Sequence, residues 1–349
     1  MVGRSLVFPR VSGPWSMVEG STIKAMIGLE LRRTELVMSG RKVAITSISF
    51  SKSVDLLAEL ASHGLEPYPN RSGQKLEGQN LISFLRDSGA RAAIVGLEPI
   101  DLQTLEQCQE LRFISKYGVG LDNLDQEALR QRGVGLGWTG GVNRRSVSEL
   151  ALGFALGHFR NIVPSIIKMR QGIWEKAGGQ QLSDATVGIV GFGHIGTDLA
   201  ALLRPFGCRI LYSDILDKSA IAADLGASPA SYEEILAKAD VITFHVPSTP
   251  LTKGMFGRRE LGLVKANALI INTARGDIVD FVPTATAVRD GRLGGFAADV
   301  FIDEPQDLHS WADVPQLYFT PHIGGNAQEA ILAMGRSAIS HVVAFFARS

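Results

Sequence analysis

Three short segments of this 349-residue chain place ionisable side chains where they could act on a small organic anion. The first is Ile271–Asn272–Thr273–Ala274–Arg275–Gly276–Asp277. Arg275 follows an apolar run and precedes a glycine, so its side chain is presented rather than packed. A guanidinium is a rigid fork of N–H donors that matches a carboxylate. The second segment runs Ala298–Asp299–Val300–Phe301–Ile302–Asp303–Glu304–Pro305 and supplies the carboxylates of Asp299 and Glu304. The third, Phe319–Thr320–Pro321–His322–Ile323–Gly324–Gly325, supplies His322. Imidazole titrates near neutrality and can pass a proton in either direction. A carboxylate beside it favours the imidazolium and fixes the ring's orientation. Each residue alone reads as a surface ion pair or a satisfied loop histidine. Together, each after an apolar strand, they read as a site that binds a carboxylate and moves a proton.

Upstream, Thr186–Val187–Gly188–Ile189–Val190 runs directly into Gly191–Phe192–Gly193–His194–Ile195–Gly196. A GxGxxG match is weak evidence by itself, but here a β-branched strand precedes it and a helical pattern follows. In that setting Gly191 permits the tight turn and Gly193 the approach of a pyrophosphate. Gly196 permits close packing of helix on strand. The next strand, Arg209–Ile210–Leu211–Tyr212–Ser213–Asp214, ends in an acid that can accept hydrogen bonds from ribose hydroxyls and repel a 2′-phosphate. Ile215 and Leu216 follow it, not an arginine pair, so NAD is favoured over NADP. His194 reads as a solvent-side residue able to lean on the phosphates, without a catalytic role.

The elements that must position these residues alternate. Strands are expected at Val43–Phe50, Ala92–Gly96 and Leu111–Tyr117, with helices at Leu56–Ala61, Leu81–Leu85 and Asp125–Arg132. After the glycine-rich turn the strands Thr186–Gly191, Arg209–Asp214, Val241–Val246, Ala268–Asn272 and Gly295–Phe301 form a five-strand series. Helices fall between them at Ile195–Phe206, Lys218–Leu225, Tyr232–Ala239, Arg258–Val264 and Thr284–Arg289. Strands alternating with helices imply an α/β fold of two doubly wound parallel sheets, each covered on both faces. The longest helical stretch, Arg144–Arg170, is broken near Pro164 and suits an inter-domain connector or a surface buried by a partner subunit. Residues 1–40 show no sustained period. They read as a disordered tail, or as an upstream extension of a chain starting near Met38.

Composition narrows the class. Lys plus Arg number 35 and Asp plus Glu number 35, so there is no net charge to serve a general nucleic-acid binder. Two cysteines, Cys108 and Cys208, are too few for a disulfide framework and favour a reducing, cytoplasmic compartment. No apolar run approaches the ~18–20 residues of a membrane span. No metal-ligating cluster is read. The expected partner is a small molecule, with no nucleic acid and no membrane.

At this point the chain resembles the D-isomer-specific 2-hydroxyacid dehydrogenases, most closely the phosphoglycerate dehydrogenase-like branch, from about Val43 to its end. Lys116–Tyr117–Gly118–Val119–Gly120–Leu121–Asp122–Asn123 looks like that family's substrate-carboxylate loop. Val142–Asn143 with Val147–Leu152 looks like the start of its linking helix. His245–Val246–Pro247 with Thr249–Pro250–Leu251–Thr252 looks like the loop flanking adenosine. The resemblance implies that Arg275, Glu304 and His322 are catalytic: Arg275 binds the substrate carboxylate, His322 is the general acid–base, and Glu304 pairs with it. It implies substrate contacts from Lys116, from the Val119 and Gly120 amides, and from Arg275. It implies an NAD site formed by Gly191, Gly193, His194, Ile195, Gly196, Asp214, His245, Val246, Pro247, Thr252, Thr273, Ala274, Arg275, Asp299, His322 and Gly324. Asp299 would orient the nicotinamide carboxamide. The layout implied is a flavodoxin-like substrate domain of residues 41–142 and 324–349. A Rossmann NAD domain, 143–323, is inserted into it and carries a helix that helps form a homodimer.

The activity implied is NAD-dependent oxidation or reduction of a 2-hydroxy or 2-keto acid, with 3-phosphoglycerate preferred. The alternatives are glyoxylate or hydroxypyruvate reduction, and an NADH-binding regulatory protein of the same fold, like the family's corepressors. Formate or phosphite oxidation is less favoured, because Glu304 stands where the formate branch places Gln. Lys116 and Arg71 are the basic residues that could meet a phosphate, although Arg71 equally reads as a solvated charge. Trp138 is placed near the hinge. The chain ends shortly after His322, which leaves room for one last helix and none for the regulatory domain of the long phosphoglycerate dehydrogenases.

Overall fold

The computed structural model describes residues 41–348. The reading of residues 1–40 lies outside them. The chain forms two parallel sheets. The first holds β1 (Lys42–Ile45), β2 (Glu66–Pro69), β3 (Ala92–Val95), β4 (Phe113–Lys116) and β5 (Gly135–Gly137), in the order β2-β1-β3-β4-β5. The second holds β6 (Thr186–Val190), β7 (Arg209–Ser213), β8 (Ala227–Pro229), β9 (Val241–Phe244), β10 (Leu269–Asn272), β11 (Gly295–Ala298) and β12 (Leu317–Phe319), in the order β12-β11-β10-β9-β6-β7-β8. Every pairing is parallel. These are the flavodoxin-like and Rossmann strand orders. β3, β9, β10 and β11 are buried along their whole length, because helices cover both faces of each sheet.

Strand order reverses between β1 and β3 in the first sheet and between β6 and β9 in the second. At such a reversal the flanking crossovers run to opposite faces, which opens a crevice at the strands' carboxyl ends. All three ionisable segments, the glycine-rich turn and the Lys116–Asn123 loop emerge from carboxyl ends.

Several elements differ from expectation, each for a local reason. The Val43–Phe50 run stays a strand only to Ile45. Ser47 then accepts the Phe50 amide at 3.4 Å and caps the helix Ile48–Lys52. Continuous apolar runs do not by themselves separate strand from helix. The second sheet has seven strands rather than five, because β8 and β12 are three residues each and too short to show a period. The long connector divides into Arg144–Phe159 and Ile162–Arg170, bent by 63°. The break is at Asn161, with φ of +53°, and not at Pro164. That proline lies in the first turn of the second helix, where a missing N–H leaves no intrahelical bond unmade.

Among the described residues one helix is long and apolar enough to span a bilayer, contrary to expectation: the last, Gln328–Arg348, has 21 residues, and an 18-residue stretch of it has a mean hydropathy of 1.6. Its Met334, Ala338, Ile339, Val342 and Phe346 are buried with Val43, Ile45 and Ile94 in a core of the first sheet. Ser115 on β4 donates to the Ala338 carbonyl at 2.9 Å, and Phe113 stacks on Phe345 with centroids 4.8 Å apart. The two chain passages between the sheets lie side by side: Ser146 Oγ donates to the Gly324 carbonyl at 2.5 Å and accepts the Ala327 amide at 3.3 Å.

Candidate active site

The glycine-rich turn leaves β6 at Val190. Gly191 has φ of +93°, and a Cβ there would lie 2.6 Å from the His245 carbonyl oxygen, so only glycine fits. A Cβ on Gly196 would run into the Gly191 carbonyl. At Gly193, the N-cap of the helix His194–Leu203, a Cβ would meet nothing within 4 Å. The helix N-terminus there faces open space with its amides unmasked, as an anion cradle requires. Phe192 points the other way, buried and stacked on Tyr212 at 4.4 Å. The Asp214 carboxylate accepts the Phe192 amide at 2.7 Å and the Leu216 amide at 2.8 Å, which ties the end of β7 to the turn. Each oxygen retains a lone pair for a hydroxyl donor. His194 is exposed, with its ring over Gly140 and Gly141 in the passage between the sheets.

Two buried polar atoms at the ends of neighbouring strands, His245 Nδ1 and Thr273 Oγ1, have no hydrogen-bond partner. Burial pushes the His245 imidazole down to about 3, so the ring is neutral; its Nε2 lies 2.9 Å from the Thr243 hydroxyl. Buried polar atoms without partners call for a ligand or water. With the open cradle at Gly193, they fit a dinucleotide lying across the β6–β9 reversal. Val246 packs against Gly191, and Ala274 is buried. Thr252 does not join this group: its hydroxyl donates to the Pro247 carbonyl at 2.6 Å and accepts the Thr249 amide at 2.8 Å, folding its own loop.

Arg275 follows β10 through a turn that Asn272 braces. The Asn272 side chain accepts the Ala274 amide at 3.1 Å and donates to the Arg275 carbonyl at 2.8 Å. The Arg275 guanidinium reaches across to the loop after β4. Its Nε donates to Asp122 Oδ2 at 2.6 Å, and its NH1 to the Ala274 carbonyl at 2.6 Å. It lies over Gly120, where any Cβ would collide with NH2. The Val119 and Gly120 amides donate to no acceptor among the described residues. Trp138 holds this loop from below, donating to the Val119 carbonyl at 2.8 Å.

Lys116 does not reach the crevice. It is 3% exposed, and its ammonium donates to the Gly96 carbonyl and to Asn123 Oδ1, the latter at 2.7 Å. Burial lowers its pKa to about 8 against the opposing pull of Glu98, with the Arg275 charge adding to the lowering. Lys116 therefore supports the loop from beneath, with its ammonium engaged by protein acceptors. Sequence reasoning missed this because a lysine closing an apolar strand carries no sign of which face its stem will follow.

Asp299 is almost fully buried at the end of β11. One oxygen accepts the Thr320 hydroxyl at 2.6 Å and the Ile323 amide at 2.8 Å; the other accepts the Gly324 amide at 2.7 Å. It thus anchors the loop that carries His322, a role not foreseen for it. His322 has φ of +55°, a conformation that costs a residue with a side chain about 1 kcal/mol or more. The grip of Asp299 on both flanks holds it there. His322 Nδ1 lies 2.8 Å from Glu304 Oε2, while Glu304 Oε1 accepts the Phe301 amide at 3.1 Å. Burial pushes the Glu304 carboxyl up, but the His322 and Phe301 hydrogen bonds and the His322 and Arg275 charges outweigh it. Its pKa lies below the ordinary value. Among the described residues, His322 Nε2 has no hydrogen-bond partner. A cation fork, an imidazole with one nitrogen held by a carboxylate, and an anion cradle thus meet around one crevice. Among the described residues no group of three or more His, Cys, Asp or Glu could hold a metal ion.

Comparison with known proteins places this geometry in context. Residues 152–324 match the family model of the D-isomer specific 2-hydroxyacid dehydrogenase NAD-binding domain. A glyoxylate reductase of Thermococcus litoralis is 34% identical over 274 residues, covering 76% of this chain and 82% of that protein. A D-3-phosphoglycerate dehydrogenase of Mycobacterium leprae is 36% identical over 233 residues, covering 66% of this chain and 44% of that longer protein. Among solved structures, the TT0316 protein from Thermus thermophilus superposes with a TM-score of 0.79 at 31% identity, covering 88% of this chain and 97% of that one.

Proposed function

Since the chain belongs to the D-isomer specific 2-hydroxyacid dehydrogenase family and is an NAD-dependent oxidoreductase, we propose that it interconverts a small 2-keto acid of the glyoxylate or hydroxypyruvate class with its 2-hydroxy acid. The observation that carries this reading is the burial of Lys116. A phosphate on the substrate would need a cation beyond the one that takes the carboxylate. Lys116 is committed to Gly96 and Asn123. A phosphorylated substrate is the second reading, and rests on Arg71, exposed just past the carboxyl end of β2.

In this reading the bound nicotinamide supplies or accepts the hydride. Arg275 and the Val119 and Gly120 amides hold the substrate carboxylate. In reduction His322 delivers a proton from Nε2 to the carbonyl oxygen, and in oxidation it takes that proton back. Glu304, holding Nδ1, keeps the ring turned toward the substrate. The Asp214 carboxylate takes the adenosine ribose hydroxyls, and the amides beyond Gly193 take the pyrophosphate. We further propose a homodimer formed through Ile162–Arg170. That helix exposes Ile162, Val163, Ile166, Ile167 and Met169, with Trp174 beyond it, a patch of the kind that marks a protein interface.

The test is a comparison of kcat/KM, followed by NADH oxidation, for glyoxylate, hydroxypyruvate and 3-phosphohydroxypyruvate. One of the first two should be preferred. A preference for the phosphorylated acid that Arg71→Ala abolishes would replace this reading with the second.

A further inference from the structure

We infer that Asp122 is a positioning residue for the reaction: it clamps the Arg275 guanidinium over Gly120, so that the carboxylate-binding fork and the loop amides form one rigid unit. This rests on the reading of Arg275 as the carboxylate anchor.

The two residues are 153 positions apart, in loops that follow strands of different sheets, yet Arg275 Nε lies 2.6 Å from Asp122 Oδ2. Asp122 takes the Nε edge and the Ala274 carbonyl takes one NH1 proton. The remaining NH1 proton and both NH2 protons are left for a ligand. NH2 is the group that sits over Gly120, beside the Val119 and Gly120 amides. A bidentate carboxylate site needs donors fixed in one plane, and an arginine on a flexible stem is fixed only if its far edge is held. The pair is too exposed to serve stability, with Arg275 side chain 35% and Asp122 side chain 46% accessible, and ion pairs of that kind contribute little. Asp122 makes no other side-chain hydrogen bond among the described residues. Its loop is already shaped by the Leu124 amide to the Leu121 carbonyl and by Asn123, which donates to the Gly96 and Glu98 carbonyls. What the carboxylate adds is the direction of the guanidinium.

The experiment compares Asp122→Ala, Asp122→Asn, Arg275→Gln and the Asp122→Ala/Arg275→Gln double variant in steady-state reduction of the preferred 2-keto acid. NADH affinity, measured by fluorescence titration, serves as the check on folding. Asp122→Ala should raise KM for the keto acid by about 10- to 100-fold, the range expected when a positioning contact is lost, with NADH affinity unchanged. Asp122→Asn keeps an oxygen acceptor for Nε and should recover much of the loss. In the double variant the Asp122 substitution should add almost nothing to the effect of Arg275→Gln. A lower KM in Asp122→Ala would show that the carboxylate competes with substrate, and would overturn the inference. So would an unchanged KM while Arg275→Gln is severely impaired. If Arg275→Gln itself leaves the keto-acid KM unchanged, the anchor reading is what fails.

Discussion

His322 and Glu304 carry the most direct consequences at the scale of single residues. Removing the imidazole, His322→Ala, should lower kcat by about 10²–10⁴, the usual loss for a general acid–base. An unaltered kcat would rule out its assignment. Glu304→Gln keeps a hydrogen-bond partner for Nδ1 but deletes the charge beside the ring. Reduction kcat should therefore fall, and an unchanged kcat would show that the charge is irrelevant. Glu304 also links folding to pH. Its folded pKa is depressed, so the stability it contributes is present above its ordinary value of 4.5 and is lost as pH falls through the lower folded value. The wild-type protein should thus lose more stability on acidification across that window than Glu304→Gln does.

At the scale of elements, the loop after β12 depends on Asp299. Three donors converge on its two oxygens from the Thr320–Gly324 loop. Asp299→Asn keeps the shape but turns one acceptor into a donor facing an N–H. A buried charged hydrogen bond lost in this way should cost about 2–3 kcal/mol, read in denaturant titration. Activity should fall too, because His322 holds its unfavourable φ only while the loop is gripped. A variant of wild-type stability would show that the loop is shaped from elsewhere. The glycine-rich turn behaves differently, since its geometry is local. Gly191 is required by its own φ of +93° and Gly196 by the Gly191 carbonyl beside it, and the sequence pattern of strand, turn and helix announces them. Short edge strands announce nothing: β8 and β12 are held by pairing to β7 and β11, not by any period of their own.

For the whole molecule, the apolar face of Ile162–Arg170 predicts a dimer that Ile166→Glu with Ile167→Glu should convert to monomer, measured by light scattering across a size-exclusion column. A wild-type monomer would remove the homodimer from the account. The passages at Trp138–Ser146 and at Ile323–Ala327 pack side by side, and the Arg275–Asp122 contact joins loops from the two sheets they connect.

The sequence by itself determined what is contiguous. The parallel α/β class, the dinucleotide turn with Asp214, and the presentation of Arg275, Glu304 and His322 all follow from residues within a few positions of one another. Propensity, periodicity and turn chemistry act over that range. Only the tertiary structure decided what is brought together across the chain. Lys116 turns under its loop and is spent on Gly96 and Asn123. Asp299 grips the His322 loop. Asp122 meets Arg275 from a loop of the other sheet. Such contacts depend on strand order and on which face a side chain follows, and a one-dimensional pattern encodes these only through the packing of the whole fold.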